Sequence, residues 1–376
     1  MDVICTIIAS NYIPQAMALR DSVLEVHPDL DFYVLIADAT SREQPLLHGA
    51  KILLTEDLEI DDEIIAEMFS YYDLFEISTA LKPFLLKSLL SSGVDTVTFL
   101  DPDIIVHAPL TFGFNAAREF GIVLCPHRLT PSNILSNNFS ELGFLKYGVY
   151  NLGYIAVGKT SLPMLIWWQD RLRWFCSRYQ GEVWFTDQKW LDLVPALFEC
   201  KVLKHTGYDL APWNIDERLI QELENVVYCG ADPLIFIHFS QMSANLALGI
   251  ETPLWDKQLS TLPKKQASAT LDFIKEQTSS YSQKLVSYRS QYLSTEPSSQ
   301  LKLTAHGLSF HNKKRKSLKS LGSARSGDIK IHARDPLKIP PGWFNAVTKT
   351  LERSATLNGM RDGIRIDIEK LIAKWR

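Results

Sequence analysis

Strand, helix and strand follow one another within the first 40 residues, and this limits the architecture more than any other part of the chain. Val3–Ala9 is a short apolar, β-branched run. Ile13–His27 places Ala16, Leu19, Val23 and Val26 at helical spacing, His27-Pro28 stops that helix, and Phe32–Ala37 is a second apolar strand. Strand–helix–strand over this length reads as a βαβ unit and hence a parallel sheet. Sheets of this type bind ligands beyond the carboxyl ends of their strands, so residues at those ends come first in any search for chemistry.

The pattern continues along the chain. Residues 61–91 read as helical, with Thr79 starting a turn through Lys82, Pro83 and Phe84. Val94–Leu100 is a strand ending at Asp101-Pro102-Asp103, followed by a second extended run, Ile104–Val106. Gly121–Cys125 and Tyr150–Val157 read as strands, and Ser161–Tyr179 as a helix with Pro163 in its first turn, where proline is tolerated. Thr186 is placed to cap a short helix carrying Trp190, Leu191 and Val194, and Leu234–Ile237 is a late strand ending at His238. The expected organisation is a catalytic domain over residues 1–250, a helical extension over 251–300, a basic linker over 301–340 and a C-terminal helical segment over 341–376.

Bulk properties exclude several classes. With 376 residues, 46% of them hydrophobic, the chain can bury a substantial core. The net charge of −4 lacks the basic excess of a nucleic-acid binder. Five scattered cysteines without a C-x-x-C suggest reduced thiols in a cytoplasmic-type compartment. The N-terminus has no basic region before its apolar run, and no stretch reaches the roughly 18 apolar residues that span a bilayer. Residues 301–335 hold nine Lys/Arg and two Asp. This basic stretch, centred on 313–334, is a solvated tail or a dock for an acidic partner or the inner membrane surface.

The chemistry centres on Asp101-Pro102-Asp103. Side chains two apart in extended backbone point the same way, so two carboxylates can face one divalent cation. Carboxylate oxygens suit Mg²⁺ or Mn²⁺. A second D-x-D, Asp29-Leu30-Asp31, precedes a strand and reads as an ordinary turn. His238, also at a strand end, would complete a two-Asp, one-His set, and mixed N/O ligation shifts the preference towards Mn²⁺.

Taken in order, several pieces resemble a GT-A-type glycosyltransferase, close in pattern to glycosyltransferase family 8, glycogenin-like enzymes and bacterial relatives. They are Thr6-Ile7-Ile8-Ala9-Ser10-Asn11-Tyr12, Leu81-Lys82-Pro83, Phe99-Leu100-Asp101-Pro102-Asp103, Tyr150-Asn151-Leu152-Gly153-Tyr154, Thr186-Asp187-Gln188 and Phe236-Ile237-His238-Phe239-Ser240, over roughly residues 1–245. The resemblance implies an α/β fold: a GT-A (Rossmann-like) mixed, mainly parallel sheet flanked by helices, with a C-terminal helical and basic extension. It implies Asp101, Asp103 and His238 as metal ligands, Ala9, Ser10, Asn11 and Tyr12 at the base and ribose, and Asp38 holding the nucleoside. Lys82 would contact the diphosphate or donor sugar; Asn151, Asp187 and Gln188 would line the sugar pocket, with Asp187, Lys82 and Gln188 the catalytic set. The implied donor is a UDP-sugar, the implied outcome retention, and the acceptor an unspecified glycan, protein or lipid. Gln241 and Met242 stand where the family usually has glycine after His-x-Ser, and a lysine expected just after in some relatives is absent.

Local readings stand beside these. Asn11 also suits a helix cap, Lys82 a solvated helix position, Asn151 strand-end backbone groups and Asp187 a first-turn acid. The aromatics from Trp167 to Trp190 belong largely in a core, leaving Trp184 and Trp213 as acceptor-facing residues. Two other classes compete: a sugar nucleotidyltransferase, whose glycine-rich phosphate loop is missing after the first strand, and a non-catalytic nucleotide-sugar or carbohydrate-binding module.

Overall fold

The computed structural model describes residues 1–39, 45–132, 141–178, 185–240, 255 and 264–295, all within the unit Met1–Gly307. The basic stretch 313–334, the segments 301–340 and 341–376, Trp184, Gln241 and Met242 lie outside the described residues.

The elements run β1 (Asp2–Ile8), α1 (Ile13–Val26), β2 (Asp31–Ile36), β3 (Ala50–Leu53), α2 (Asp62–Tyr71), α3 (Leu74–Ala80) and α4 (Lys82–Ser91). Then come β4 (Thr96–Leu100), β5 (Ile104–Val106), α5 (Thr111–Phe120), β6 (Ile122–Pro126), α6 (Glu141–Tyr147), β7 (Tyr150–Gly158) and α7 (Leu162–Leu172). A 3₁₀ turn (Gln188–Leu193) leads into α8 (Val194–Leu197), β8 (Lys201–Val202), β9 (Ile220–Leu223), β10 (Val226–Cys229), β11 (Asp232–Pro233), β12 (Phe236–His238) and the long α9 (Lys264–Thr295).

Seven strands form the central sheet in the order β3-β2-β1-β4-β7-β6-β8. The pairs β1–β2, β1–β4, β2–β3 and β6–β8 are parallel, and β7 alone runs against both neighbours, β4 and β6. This is the mixed, mainly parallel sheet flanked by helices expected from the sequence. β1 shows why it is buried on both faces. Val3, Cys5 and Ile7 enter a core with Ile77, Leu85 and Leu165, while Ile4 and Ile8 enter a second core with α1 and α5. Side chains alternate across a strand, so a strand covered on both sides reads as a continuous apolar run.

Several boundaries differ from the sequence reading. The 61–91 segment is three helices, not one. Asp73 Oδ1 accepts from Glu76 N at 2.9 Å and Glu76 Oε2 accepts from Asp73 N at 3.1 Å, a reciprocal cap that starts α3 afresh. Leu81 then joins α3 to α4, whose first turn holds Pro83. α7 stops at Leu172, short of Tyr179; Trp168 is its buried tryptophan, and Trp174, beyond its end, is 44% exposed. Thr186 does not cap a helix: it has φ +48° and precedes a 3₁₀ turn whose capping position, Asp187, makes no side-chain cap. Asn11 lies in a 3₁₀ turn before α1 and makes no cap bond.

Two small sheets complete the unit: β9–β11, and β5 paired antiparallel with β12 in the register His238↔Ile104. α9 lies along α1, where the Tyr288 hydroxyl donates to Asp21. No helix among the described residues is long and apolar enough to cross a membrane. All five cysteines are free thiols, and four are buried.

Candidate metal and donor site

β4 delivers Asp101 to the carboxyl-end rim of the sheet, and the turn after it places Asp103 at the start of β5. Because β12 pairs with β5, His238 arrives opposite Ile104, one residue from Asp103. Asp101 N donates to Gly153 O at 2.8 Å, and Phe239 N donates to Asp103 O at 2.8 Å, so both backbones are pinned. One ligand atom from each of Asp101, Asp103 and His238 lies within 4.8 Å of the others. His238 Nε2 is 3.2 Å from Asp103 Oδ1 and 3.9 Å from Asp101 Oδ2.

The sequence gives no sign of what orients His238. Its Nδ1 sits 3.1 Å from Oδ1 of Asp209, a wholly buried carboxylate in a left-handed conformation (φ +61°). An imidazole held this way through one nitrogen aims the other at the ligand position. Trp213 packs edge-on against the His238 ring at 5.3 Å and is buried. Gly153 supplies the room. A Cβ there would come within 2.4 Å of His238 Cε1 and 2.7 Å of both His238 Nδ1 and Asn151 Oδ1.

Lys82 is buried, not a solvated helix residue. Its Nζ lies 2.8 Å from Asp187 Oδ2 and 3.4 Å from Asp101 Oδ1, and it donates to Leu152 O at 2.8 Å. Asp187 is equally enclosed, so its partner is Lys82 and not a helix dipole. Gln188 Oε1 accepts from Leu152 N at 3.2 Å, so Lys82 and Gln188 hold opposite sides of one residue at the start of β7. Asn151 does satisfy backbone there, accepting from Gly153 N at 2.7 Å, and its amide meets His127 Nε2 at 3.3 Å. His127 was not legible from the sequence; it stacks on Phe144 at 5.0 Å.

The expected nucleoside residues form a separate group at the ends of β1 and β2. Both the backbone N and the hydroxyl of Ser10 donate to Asp38 Oδ1 at 2.8 Å. Ala9 and Ser10 are buried, Tyr12 is half-buried and Asn11 is exposed.

The electrostatics favour a cation. Burial opposes the charge on Lys82, but Asp101 and Asp187 outweigh it and raise its pKa above the usual ammonium value. Burial and the neighbouring Asp103 push the Asp101 carboxyl up against the pull of Lys82, although 30% of its side chain stays open to solvent. Burial likewise works against a charged His238, yet the carboxylates of Asp103 and Asp209 carry it to about 10. Four carboxylates (Asp101, Asp103, Asp187, Asp209) thus surround one ammonium and one imidazole. Two oxygens and one nitrogen on converging, backbone-pinned side chains fit a divalent ion of the Mn²⁺ or Mg²⁺ type.

No family model matches the chain. Two proteins of Bacillus subtilis (strain 168) are similar to it. The uncharacterized protein YfnF is 26% identical over 244 residues, 63% of this chain and 80% of its own length. The uncharacterized protein YfnD is 27% identical over 248 residues, 62% and 76% respectively. Among solved structures, the galactosyltransferase LgtC in complex with donor and acceptor sugar analogs matches at a TM-score of 0.40 and 16% identity, over 64% of this chain and 87% of that one. Mouse xyloside xylosyltransferase 1 matches at a TM-score of 0.39 and 12% identity, over 64% and 98%.

Proposed function

We propose that this chain is a metal-dependent glycosyltransferase that moves a sugar, with retention, from a nucleotide-diphosphate donor of the UDP-sugar type to a glycan, protein or lipid acceptor. The observation that carries this is the convergence of Asp101, Asp103 and His238, with Lys82 beside them, at the carboxyl-end rim of a parallel sheet. Asp101, Asp103 and His238 would hold Mn²⁺ or Mg²⁺. A divalent ion in such a site supplies positive charge to a departing diphosphate.

The chain's own residues do the rest. Ser10 and Asp38, already joined, present the ends of β1 and β2 to the nucleoside. Lys82, fixed by Asp187 and Leu152 before any ligand arrives, offers a preorganised ammonium to the diphosphate side, where such charge costs no reorganisation. Asn151 and Gln188 keep the start of β7 in place along the sugar pocket. Asp187 is enclosed and tied to Lys82, which suits an orienting role better than proton removal from an acceptor hydroxyl. That supports retention over inversion.

The test is donor hydrolysis, which needs no known acceptor. The purified chain is incubated with UDP- and GDP-sugars, with Mn²⁺ and with a chelator, and released nucleotide diphosphate is followed. Release from a UDP-sugar that needs Mn²⁺ and falls about a hundredfold or more in Asp103→Asn is expected. No release from any donor, together with no donor-dependent thermal stabilisation, would overturn the reading and favour a binding module.

A further inference from the structure

His127 follows the last residue of β6, and its buried ring stacks on Phe144 at 5.0 Å and meets Trp213 edge-on at 5.3 Å. A neutral imidazole protonates one nitrogen and leaves the other bare, and the neighbours decide which is which. Here two main-chain groups decide it. His127 Nδ1 lies 3.1 Å from Val149 O, which can only accept, so Nδ1 carries the proton. His127 Nε2 lies 3.3 Å from Nδ2 of Asn151. On the other side of the same carboxamide, Asn151 Oδ1 takes the N–H of Gly153 at 2.7 Å, and that group can only donate. The carboxamide oxygen therefore faces Gly153, its amino group faces His127, and Nε2 is the bare acceptor. Val149 at one end of this relay and Gly153 at the other require the same tautomer. Burial pulls the His127 pKa below the ordinary imidazole value, against the Asp209 charge and the Val149 carbonyl, in keeping with a neutral ring. A second ring proton would set an N–H against the Asn151 amino group.

The relay ends on the rim cluster. Gly153, held at its N–H by Asn151, holds Asp101 N through its own carbonyl at 2.8 Å. It also lies against His238, where a Cβ on Gly153 would come within 2.4 Å of Cε1. A displaced Gly153 would thus disturb two of the three metal-ligating residues together. The ring reaches His238 by a second route as well, through the packing of Trp213. The main chain of residue 127 is held without the ring: His127 N donates to Val149 O at 3.0 Å, and His127 O accepts from Asn214 Nδ2 at 2.9 Å. The side chain can therefore be replaced while the strand end keeps its bonds.

We propose that His127 is a positioning residue of the metal and donor site. In its Nδ1-protonated form it fixes the Asn151 carboxamide, and through Gly153 the placing of Asp101 relative to His238. The proposal rests on the metal reading of that cluster. Partners outside the ligand set hold ligands in register, and losing one costs about tenfold or more in metal affinity.

Calorimetric titration of Mn²⁺ into the full chain, with UDP present, tests this. His127→Phe keeps an aromatic ring against Phe144 and Trp213 but offers Asn151 no acceptor, and Mn²⁺ should bind about tenfold more weakly. His127→Gln gives up the ring but can set its amide oxygen where Nε2 stood, and should recover most of that loss. Nitrogen NMR of isotope-labelled histidine in the metal-free natural chain should find His127 protonated at Nδ1 alone. A ring that only fills space predicts the reverse order, with His127→Phe tight and His127→Gln weak, and that order would overturn the proposal. So would equal weakening in both variants, or a His127 protonated at Nε2. No Mn²⁺ binding by the natural chain would sink the metal reading and the proposal together. Mn²⁺ binding that His127→Phe leaves unchanged would sink the proposal alone.

Discussion

Lys82 shows how much one residue can be asked to do. It is buried, it neutralises Asp187 at 2.8 Å and Asp101 at 3.4 Å, and its Nζ lies 4.5 Å from the centroid of the Phe99 ring. Lys82→Met would leave Asp187 charged and unmatched in the interior. A loss of about 3 kcal/mol or more in urea unfolding is expected. Adding Asp187→Leu should restore most of that stability without restoring donor hydrolysis, because the two effects belong to different chemistry. A single variant as stable as the natural chain would show that the pair carries no net charge burial. The family pattern pointed to Lys82, but its enclosure was hidden, since Leu81-Lys82-Pro83 reads like any helix start. Asp209 was hidden more deeply. It lies 29 residues before His238, in a left-handed turn, with no spacing that links it to the histidine. Gly153 is another such case: its value is the absence of a Cβ against His238, which only three dimensions reveal.

Strands buried on both faces were legible, because they announce themselves as apolar runs, whereas the short or half-exposed β3, β8, β9, β10 and β11 carry no such run and were not read. Helix boundaries were less so. Nothing in the apolar spacing of 61–91 marks the break at Asp73; the break comes from hydrogen bonds between Asp73 and Glu76 that periodicity does not register. The role of α9 was also unreadable, since the sequence marks residues 251–300 only as a helical extension. Tyr281 stacks on Phe239, the residue that follows His238 and whose N–H holds Asp103 O. α9 therefore braces the histidine strand from behind. Tyr281→Ala should cost about 3 kcal/mol and weaken Mn²⁺ binding in calorimetry, whereas Tyr281→Phe should keep full metal affinity. Unchanged affinity in the alanine variant would detach α9 from the cluster.

The whole molecule holds several histidines in environments that resist protonation. Burial, reinforced by the Lys284 charge, pushes His107 down to about 4, and burial lowers His27, His127 and His205 as well. The unfolded chain takes up a proton on each near the ordinary value of about 6.5, before the folded chain does. The unfolded state then binds more protons, so stability is complete above that pH and falls as pH drops towards 4. His107 alone should contribute about 2 kcal/mol of loss between pH 7 and pH 5. In urea unfolding at both pH values, His107→Gln should flatten the difference by that amount; an unaltered slope would mean that His107 is protonated in the native state. At this scale the single reversed strand also has a consequence. β6 ends at Pro126 on the same rim where β7 begins at Tyr150, and the two residues face each other across the ladder. The described residues on either side of that pairing, 128–132 and 141–149, therefore leave and rejoin the sheet at one point of the rim, as the two arms of a clasp.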